Sequence, residues 1–438
     1  MDNNKTTLIG AGLSGPLMAT YLTQHGYSVD IYEKRSDMRI KNISAGRSIN
    51  LALSIRGIRA LKEIGVYNEI KPLMIPMKGR MIHELDGKTT LQPYGKDSRE
   101  VIYSISRAEL NKKLITASEN TGKVQFFFEH DLTEADLSKK ILIFNNDIQK
   151  SFNRVIGCDG SSSVLRNEII NKTNAKFDKK PLGHGYKELT IPPSSNGFRI
   201  EPNALHIWPR GNFMLIALPN MDKSFTCTLF MPIKGNTSFE TIETAKDITN
   251  LFKTYFPDVL DLIPTLNDEL LNNPLGELAT IYLNPWHYDE CAVLIGDAAH
   301  AIVPFFGQGM NASFQDCTIL NQLIKHKHNN WKKIFSAFSK QHVMNGHAIA
   351  DMAIENYEEM RDSVNKSTYK AQRKLEFSLE QEFPNKFVPR YSMVSFTEKP
   401  YSEVYEKGKK QYKLLNKLLD LDPTGETIDN TIVNKFIN

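Results

Sequence analysis

Three short stretches carry residue types that could hold a nucleotide. Gly10-Ala11-Gly12-Leu13-Ser14-Gly15 is a GxGxxG loop. In such a loop Gly10 permits the tight turn, Gly12 lets the backbone approach a pyrophosphate, and Gly15 lets a helix lie close on a strand. Glu33 ends the next apolar run, where a carboxylate accepts hydrogen bonds from ribose hydroxyls. Far along the chain, Gly296-Asp297 closes the apolar run 292–295 and leads through Pro304, Gly307 and Gly309 to Asn311. That order offers a carboxylate for hydroxyls and free N–H groups at a helix start for a polar cofactor edge. The stretch 154–160 likewise runs into Cys158-Asp159-Gly160, then three serines and Arg166. Taken singly, each of the last two reads equally as a packed strand with a turn aspartate and, in the second, a serine N-cap.

The elements around them give the loop its meaning. Residues 6–9 form an expected strand, a helical pattern runs through Leu17, Met18, Tyr21 and Leu22 to His25-Gly26, and 27–32 form a second strand. Strand, loop, helix, strand and acid in order make a dinucleotide fingerprint, which by itself does not choose between NAD and FAD. After Glu33 the order breaks into the stretch 46–54 and a helix near 58–64, where a doubly wound sheet would continue. If Asp297 belongs to the same site, distant segments grip one long dinucleotide. Its AMP half would lie on the first glycine loop, with a ribityl chain and flavin near Asp297.

The middle of the chain reads as sheet: 204–208, 213–218 and 225–231 carry apolar and β-branched content, and the segment 80–95 is extended. Past residue 326 the pattern is helical, clearest over 331–338 and 347–360. The stretch 405–419 interleaves lysines with leucines. It fits a solvated helix packing its leucines on the body better than one touching an anionic membrane.

The 438 residues are 41% hydrophobic and 24% charged, with a net charge of +4 spread along the chain. Nothing in that balance argues for nucleic acid. Cys158, Cys227, Cys291 and Cys317 form no CxxC pair and read as free thiols in a reducing compartment. The N-terminus lacks signal-peptide regions, and no window approaches the roughly 18 apolar residues of a membrane span. A soluble, cytoplasmic protein is the expectation. No His/Cys/Asp cluster has metal-ligand spacing and no GxSxG is present. His300, close to Asp297, reads as a packed histidine rather than a proton carrier.

The trio Gly10–Gly15, Cys158-Asp159-Gly160 and Gly296-Asp297 with Pro304 resembles the single-component FAD-dependent aromatic hydroxylases, the family of para-hydroxybenzoate hydroxylase. The stretches 47–54, Arg80-Met81-Ile82-His83, Pro93-Tyr94-Gly95, 205–210, 225–232, 304–311 and 356–361 resemble its kynurenine-hydroxylating branch. Members from eukaryotes carry a hydrophobic C-terminal anchor. The polar tail after Leu419 suggests a soluble, bacterial-type member.

The resemblance implies an α/β fold: a Rossmann-like FAD-binding domain, an antiparallel-sheet substrate domain and a C-terminal helical region. The expected division is 1–75, 100–180 and 280–325 for FAD, 76–99 and 181–279 for the sheet, and 326–438 for the helices. It implies tightly but non-covalently held FAD, transient NADPH, and O2 activated as a flavin C4a-hydroperoxide that hydroxylates L-kynurenine, a step of tryptophan degradation. Cofactor contacts are implied at Gly10, Gly12, Ser14, Gly15, Glu33, Arg35, Ala52, Arg107, Leu132, Asp297, Met310 and Asn311, the last polarising the pyrimidine end. Arg80 would take the substrate carboxylate as a bidentate cation. Tyr94 and Asn356 would complete that site, and Tyr391 would line it. The ring's own amino group activates the position ortho to it, so no catalytic base is expected. Two alternatives stay open: the same chemistry on another aromatic amino acid or phenol, and a flavin-binding protein without turnover.

Overall fold

The computed structural model describes the chain apart from residues 1–3, 41–49, 96, 98, 328–329, 364–365, 385 and 438. Residues 46–49 of the expected 46–54 motif, Arg47 included, lie outside the described residues. By compactness the chain divides into two units. The first comprises Met1–Met74, Ile105–Lys180 and Ala279–Ala350; the second comprises Ile75–Ser104, Pro181–Leu278 and Asp351–Asn438. The helical residues past 326 are therefore shared between the two.

The first unit is built on a six-stranded sheet. Its order is His287–Tyr288, Ala292–Leu294, Val155–Gly157, Lys5–Ile9, Ser28–Tyr32 and Val124–Phe127. All neighbours pair in parallel except the short edge strand at His287, which is antiparallel. Strands buried on both faces need continuous apolar runs, and TLI, VIG and AVL supply them with no alternation. Helices Ser14–Gln24, Arg107–Glu119 and Gly309–His326 belong to this unit.

The consequence for function lies in the strand order. The three motif-bearing strands are immediate neighbours in register, Thr7 opposite Val155 and Val155 opposite Ala292. Their carboxyl ends therefore open side by side, at the place where parallel α/β sheets bind ligands.

The second unit contains most of a seven-stranded sheet, whose strands run in the order Lys176–Ile191, Phe225–Pro232, Met214–Pro219, Leu205–Pro209, Gly79–His83 and Thr89–Pro93 after an edge strand at Gly276–Asn284. The antiparallel sheet expected from the sequence holds for the pairs from Lys176–Ile191 to Thr89–Pro93 with one exception. Leu205–Pro209 runs parallel to Gly79–His83, because the chain enters them from distant segments rather than through a hairpin. Alternation along that parallel pair sorts side chains between two faces. His83, His206 and Trp208 share one face, and Arg80 takes the other.

Trp208 lies in an apolar core with Phe213, Phe225, Phe252 and Phe256. A smaller core forms where helix Tyr401–Leu421 packs Leu414, Leu415 and Leu418 against Leu375, Leu379 and Phe387. Leu414, Leu415 and Leu418 of the lysine-rich stretch are thus buried within the protein, and Leu419 is half-buried beside them. All four cysteines are free thiols. No helix among the described residues is long and apolar enough to cross a membrane. No group of three or more metal-binding side chains occurs among them.

Candidate FAD and substrate sites

Gly10 follows the Lys5–Ile9 strand with φ +99°, and a Cβ there would lie 2.4 Å from the Cys158 carbonyl oxygen. A Cβ on Gly15 would lie 2.1 Å from the Gly10 carbonyl oxygen. Both positions are closed by backbone. Gly12 is the opposite case, since a Cβ there meets nothing within 4 Å. Open space at the middle glycine is what a pyrophosphate requires. Leu13, at the N-cap of helix Ser14–Gln24, provides no side-chain cap, which leaves the helix N–H groups for a ligand.

Glu33 is buried beside this loop. Its Oε2 accepts the Ala11 N–H at 2.7 Å, and Oε1 accepts the backbone and side-chain N–H of Arg35 at 3.0 and 2.7 Å. Burial alone would raise the Glu33 pKa, but the Arg35 charge and these bonds hold it below the usual carboxylate range. Each oxygen keeps lone-pair capacity for a hydroxyl. A cleft opens here, lined by Ala11, Glu33, Arg35, Met38, Asn111 and Phe128 among others. Asn111 steadies its floor by donating to the Ala11 carbonyl at 3.1 Å.

The other two motifs converge on the same loop. Cys158 N–H donates to the Ile9 carbonyl at 2.7 Å. Asp159 accepts from the Val164 N–H at 2.9 Å, and Ser163 caps that helix by accepting from the Arg166 N–H at 2.9 Å. Gly296 adopts φ +62°, and a Cβ on it would come within 3.2 Å of Ser14 Oγ. Asp297 follows at once and is exposed, while Ala298, Ala299 and His300 behind it are buried.

The remaining expected flavin contacts fare unequally. Ala52 is half-buried, and Met310 is buried in the first turn of helix Gly309–His326. Leu132 is buried, two residues beyond His130, whose N–H donates to the Glu33 carbonyl at 2.9 Å. Arg107 is exposed at the start of its helix.

Asn311 requires a correction. Its Nδ2 donates to the Ala52 and Gly307 carbonyls at 2.8 and 2.9 Å, and its Oδ1 accepts from the Ser54 N–H at 2.9 Å. The side chain is fully buried and occupied as a clamp between two segments, so only the backbone N–H is left for a cofactor.

The second unit gathers all four residues expected at the substrate. Arg80, far from being a surface cation, is 6% exposed. Its Nη2 donates to Asn356 Oδ1 at 3.3 Å and its Nη1 to Glu359 Oε1 at 3.2 Å. The guanidinium lies 5.0 Å over the Tyr391 ring, which stacks on Tyr94 with centroids 4.9 Å apart. The hairpin explains the pairing of Arg80 with Tyr94: Arg80 lies opposite Gln92, and Gly79 opposite Pro93. A Cβ on Gly79 would strike the Gln92 carbonyl oxygen at 2.3 Å, so a glycine is needed there.

Glu359 and Tyr369 were not anticipated. Tyr369 donates its hydroxyl to Glu359 Oε1 at 2.8 Å. Glu359 opens a π-helical turn, Glu359–Ser363, that ends the long helix Trp331–Glu358. Such turns gather at functional sites. This one is pinned to the sheet of its own unit, the Gly211 N–H donating to the Arg361 carbonyl at 2.9 Å. The available signal was spacing: Glu359 stands three residues after Asn356, on the same helix face. Burial opposes the Glu359 charge, but Arg80, Arg390 and the Tyr369 hydroxyl more than offset it and hold its pKa down. The Tyr94 hydroxyl, also buried, completes no hydrogen bond here.

An open middle glycine, a cleft with a fixed carboxylate beside it, and adjoining parallel strand ends fit FAD. Fold and residues together are those of an FAD-dependent monooxygenase. A family model described as an FAD binding domain matches residues 4–333. The kynurenine 3-monooxygenase of Myxococcus xanthus is 44% identical over 429 residues, covering 97% of this chain and 92% of the relative. That of Sus scrofa is 42% identical over 425 residues, covering 96% and 89%. Among solved structures, the tetrameric form of 2-methyl-3-hydroxypyridine-5-carboxylic acid oxygenase shares the fold. It superposes with a TM-score of 0.67 at 17% identity, covering 83% of this chain and 94% of that one. The chain belongs to the kynurenine 3-monooxygenase family.

Proposed function

We propose that this protein hydroxylates L-kynurenine to 3-hydroxy-L-kynurenine, consuming O2, NADPH and a proton and releasing water and NADP+. The observation that carries this reading is the buried Arg80, held by Asn356 and Glu359 beside the stacked Tyr94–Tyr391 pair. An arginine without surface access, set among polar side chains, is organised for a planar anion. FAD, when bound, supplies the electrons and carries the activated oxygen.

The chain's own groups have the remaining work. Arg80 takes the substrate α-carboxylate on the guanidinium edge now shared with Glu359, and the unpaired Tyr94 hydroxyl donates to the same carboxylate. Asn356 keeps the guanidinium oriented. Glu359, displaced from that edge and still held by Tyr369, takes the α-ammonium group. In this way one amino-acid headgroup exchanges partners with one ion pair, and no charge is left buried without a mate. The Tyr391 ring gives the guanidinium a fixed floor. NADPH is a transient co-substrate, and the free thiols suit a reducing compartment such as the cytoplasm.

The test is NADPH oxidation by the purified holoprotein with and without L-kynurenine, with the product identified by mass. Acceleration with one oxygen atom added to kynurenine supports the reading. Oxidation indifferent to kynurenine overturns it, and a different ring hydroxylated in preference would reassign the substrate.

A further inference from the structure

Asp316, on helix Gly309–His326, is a carboxylate with 1% exposure. Its Oδ2 accepts the Gly296 N–H at 2.8 Å and meets His300 Nε2 at 2.6 Å, while Oδ1 faces His342 Nδ1 at 3.4 Å. Burying such a charge costs several kcal/mol unless it is paired and hydrogen-bonded. His300 Nδ1 and His342 Nε2 are buried without partners, so both imidazoles are committed to this one carboxylate. Besides the two histidines, the Asp297 carboxylate and the Cys158 and Cys317 thiols feel the cluster electrostatically. Trp286 covers it, stacked on His300 at 4.9 Å. Burial works against the charge on His300, but Asp316 outweighs it and raises that pKa. Burial instead pushes His342 down to about 4.

What the Asp316–His300 pair holds is the turn at Gly296. The residue lies at φ +62°, ψ −144°, a conformation that favours glycine. A Cβ on it would meet Ser313 Oγ at 2.8 Å on one side and Ser14 Oγ at 3.2 Å on the other. Ser313 stands one helical turn before Asp316 and closes onto its own helix by donating to the Gly309 carbonyl. The next residue in the chain is Asp297, exposed beside the cofactor loop.

We propose that Asp316, locked by His300, is a positioning residue for FAD: through the Gly296 N–H it fixes the turn that aims Asp297 at the flavin half of the cofactor. None of its polar contacts goes to the glycine loop or to Glu33, which would hold the nucleotide half. The proposal rests on Asp297 serving the ribityl chain and is independent of which aromatic substrate is hydroxylated.

The asymmetry supplies the test. Apoprotein is titrated with FAD, followed by flavin fluorescence, and separately with ADP, which occupies only the nucleotide half. Loss of one charge-assisted hydrogen bond predicts that D316A weakens FAD by roughly tenfold to a hundredfold while ADP affinity stays within about twofold. D316N, whose amide oxygen can still accept from Gly296 and from a neutral His300, recovers most of the FAD affinity. Should D316A fail to fold, H300A is read in the same two titrations and the same selective loss is expected. Equal weakening of FAD and ADP, or no change in either, overturns the proposal. Failure of kynurenine turnover with these affinities intact would strike the substrate reading alone.

Discussion

The Arg80 guanidinium and the Glu359 carboxylate lie 3.2 Å apart, on a sheet strand and on a π-helical turn of the same unit. In the proposed headgroup site Glu359 occupies the edge of Arg80 that the substrate carboxylate would take, so that site contains its own competitor. Substituting Glu359→Gln should therefore separate two parts of recognition. L-Kynurenine loses the partner of its ammonium and its KM rises by about tenfold, whereas the deaminated keto acid binds more tightly than to the unsubstituted protein. Competition titrations with that analogue check this. Parallel changes for both ligands would remove Glu359 from the headgroup site.

Arg80 itself should be irreplaceable by lysine. An ammonium cannot keep the fork that reaches Asn356 and Glu359 together, nor lie flat over Tyr391. Expected for R80K is preserved FAD content with KM raised by roughly thirtyfold or more. Y94F should raise KM less, and it should leave unfolding unchanged or slightly improved, because it removes a buried hydroxyl that completes no hydrogen bond. Steady-state kinetics with flavin absorbance separate binding from cofactor loss.

The glycine loop allows a sharper contrast. G15A forces a methyl against the Gly10 carbonyl oxygen and should destabilise even the apoprotein by about 1–3 kcal/mol. G12A meets only open space, so the apoprotein should unfold as before while FAD affinity falls steeply. Urea unfolding of both apoproteins, beside FAD titration, reads the two effects separately. An intact FAD site in G12A would mean that the pyrophosphate does not approach there.

Acid sensitivity follows from two buried imidazoles. Burial pushes both His206 and His342 down to about 4, whereas an unfolded histidine titrates near roughly 6.5. Between those values the unfolded chain binds more protons. Stability from these groups is therefore complete above about 6.5 and is lost as pH falls towards about 4. His300, with its raised pKa, has the opposite sense: its contribution is full below about 6.5 and is lost only as pH climbs through its raised value. Replacing His342 by Phe, among Trp286 and Phe338, should make the acid limb shallower by about 1.4 kcal/mol per pH unit. Denaturant midpoints across this range measure it; an unaltered slope would assign acid sensitivity elsewhere.

The sequence by itself determined what local chemistry dictates. Continuous apolar runs ending in Gly or Asp-Gly specify buried parallel strands with open carboxyl ends. Glycine spacing specifies a pyrophosphate turn, whereas Arg80, Tyr94, Asn356 and Tyr391 stand out in the sequence only through the resemblance of the motifs around them to the family. Packing was legible where periodicity reports it, as for the leucines at 414, 415 and 418. Tertiary structure alone decided which polar side chains are spent holding the fold. Asn311 is consumed by Ala52, Gly307 and Ser54, across a sequence gap that no pattern spans. No motif marks Asp316, yet it is the buried carboxylate to which Gly296 and His300 turn. The reason is that a hydrogen bond is settled by which donor and acceptor meet at about 3 Å, and only folding brings distant residues that close.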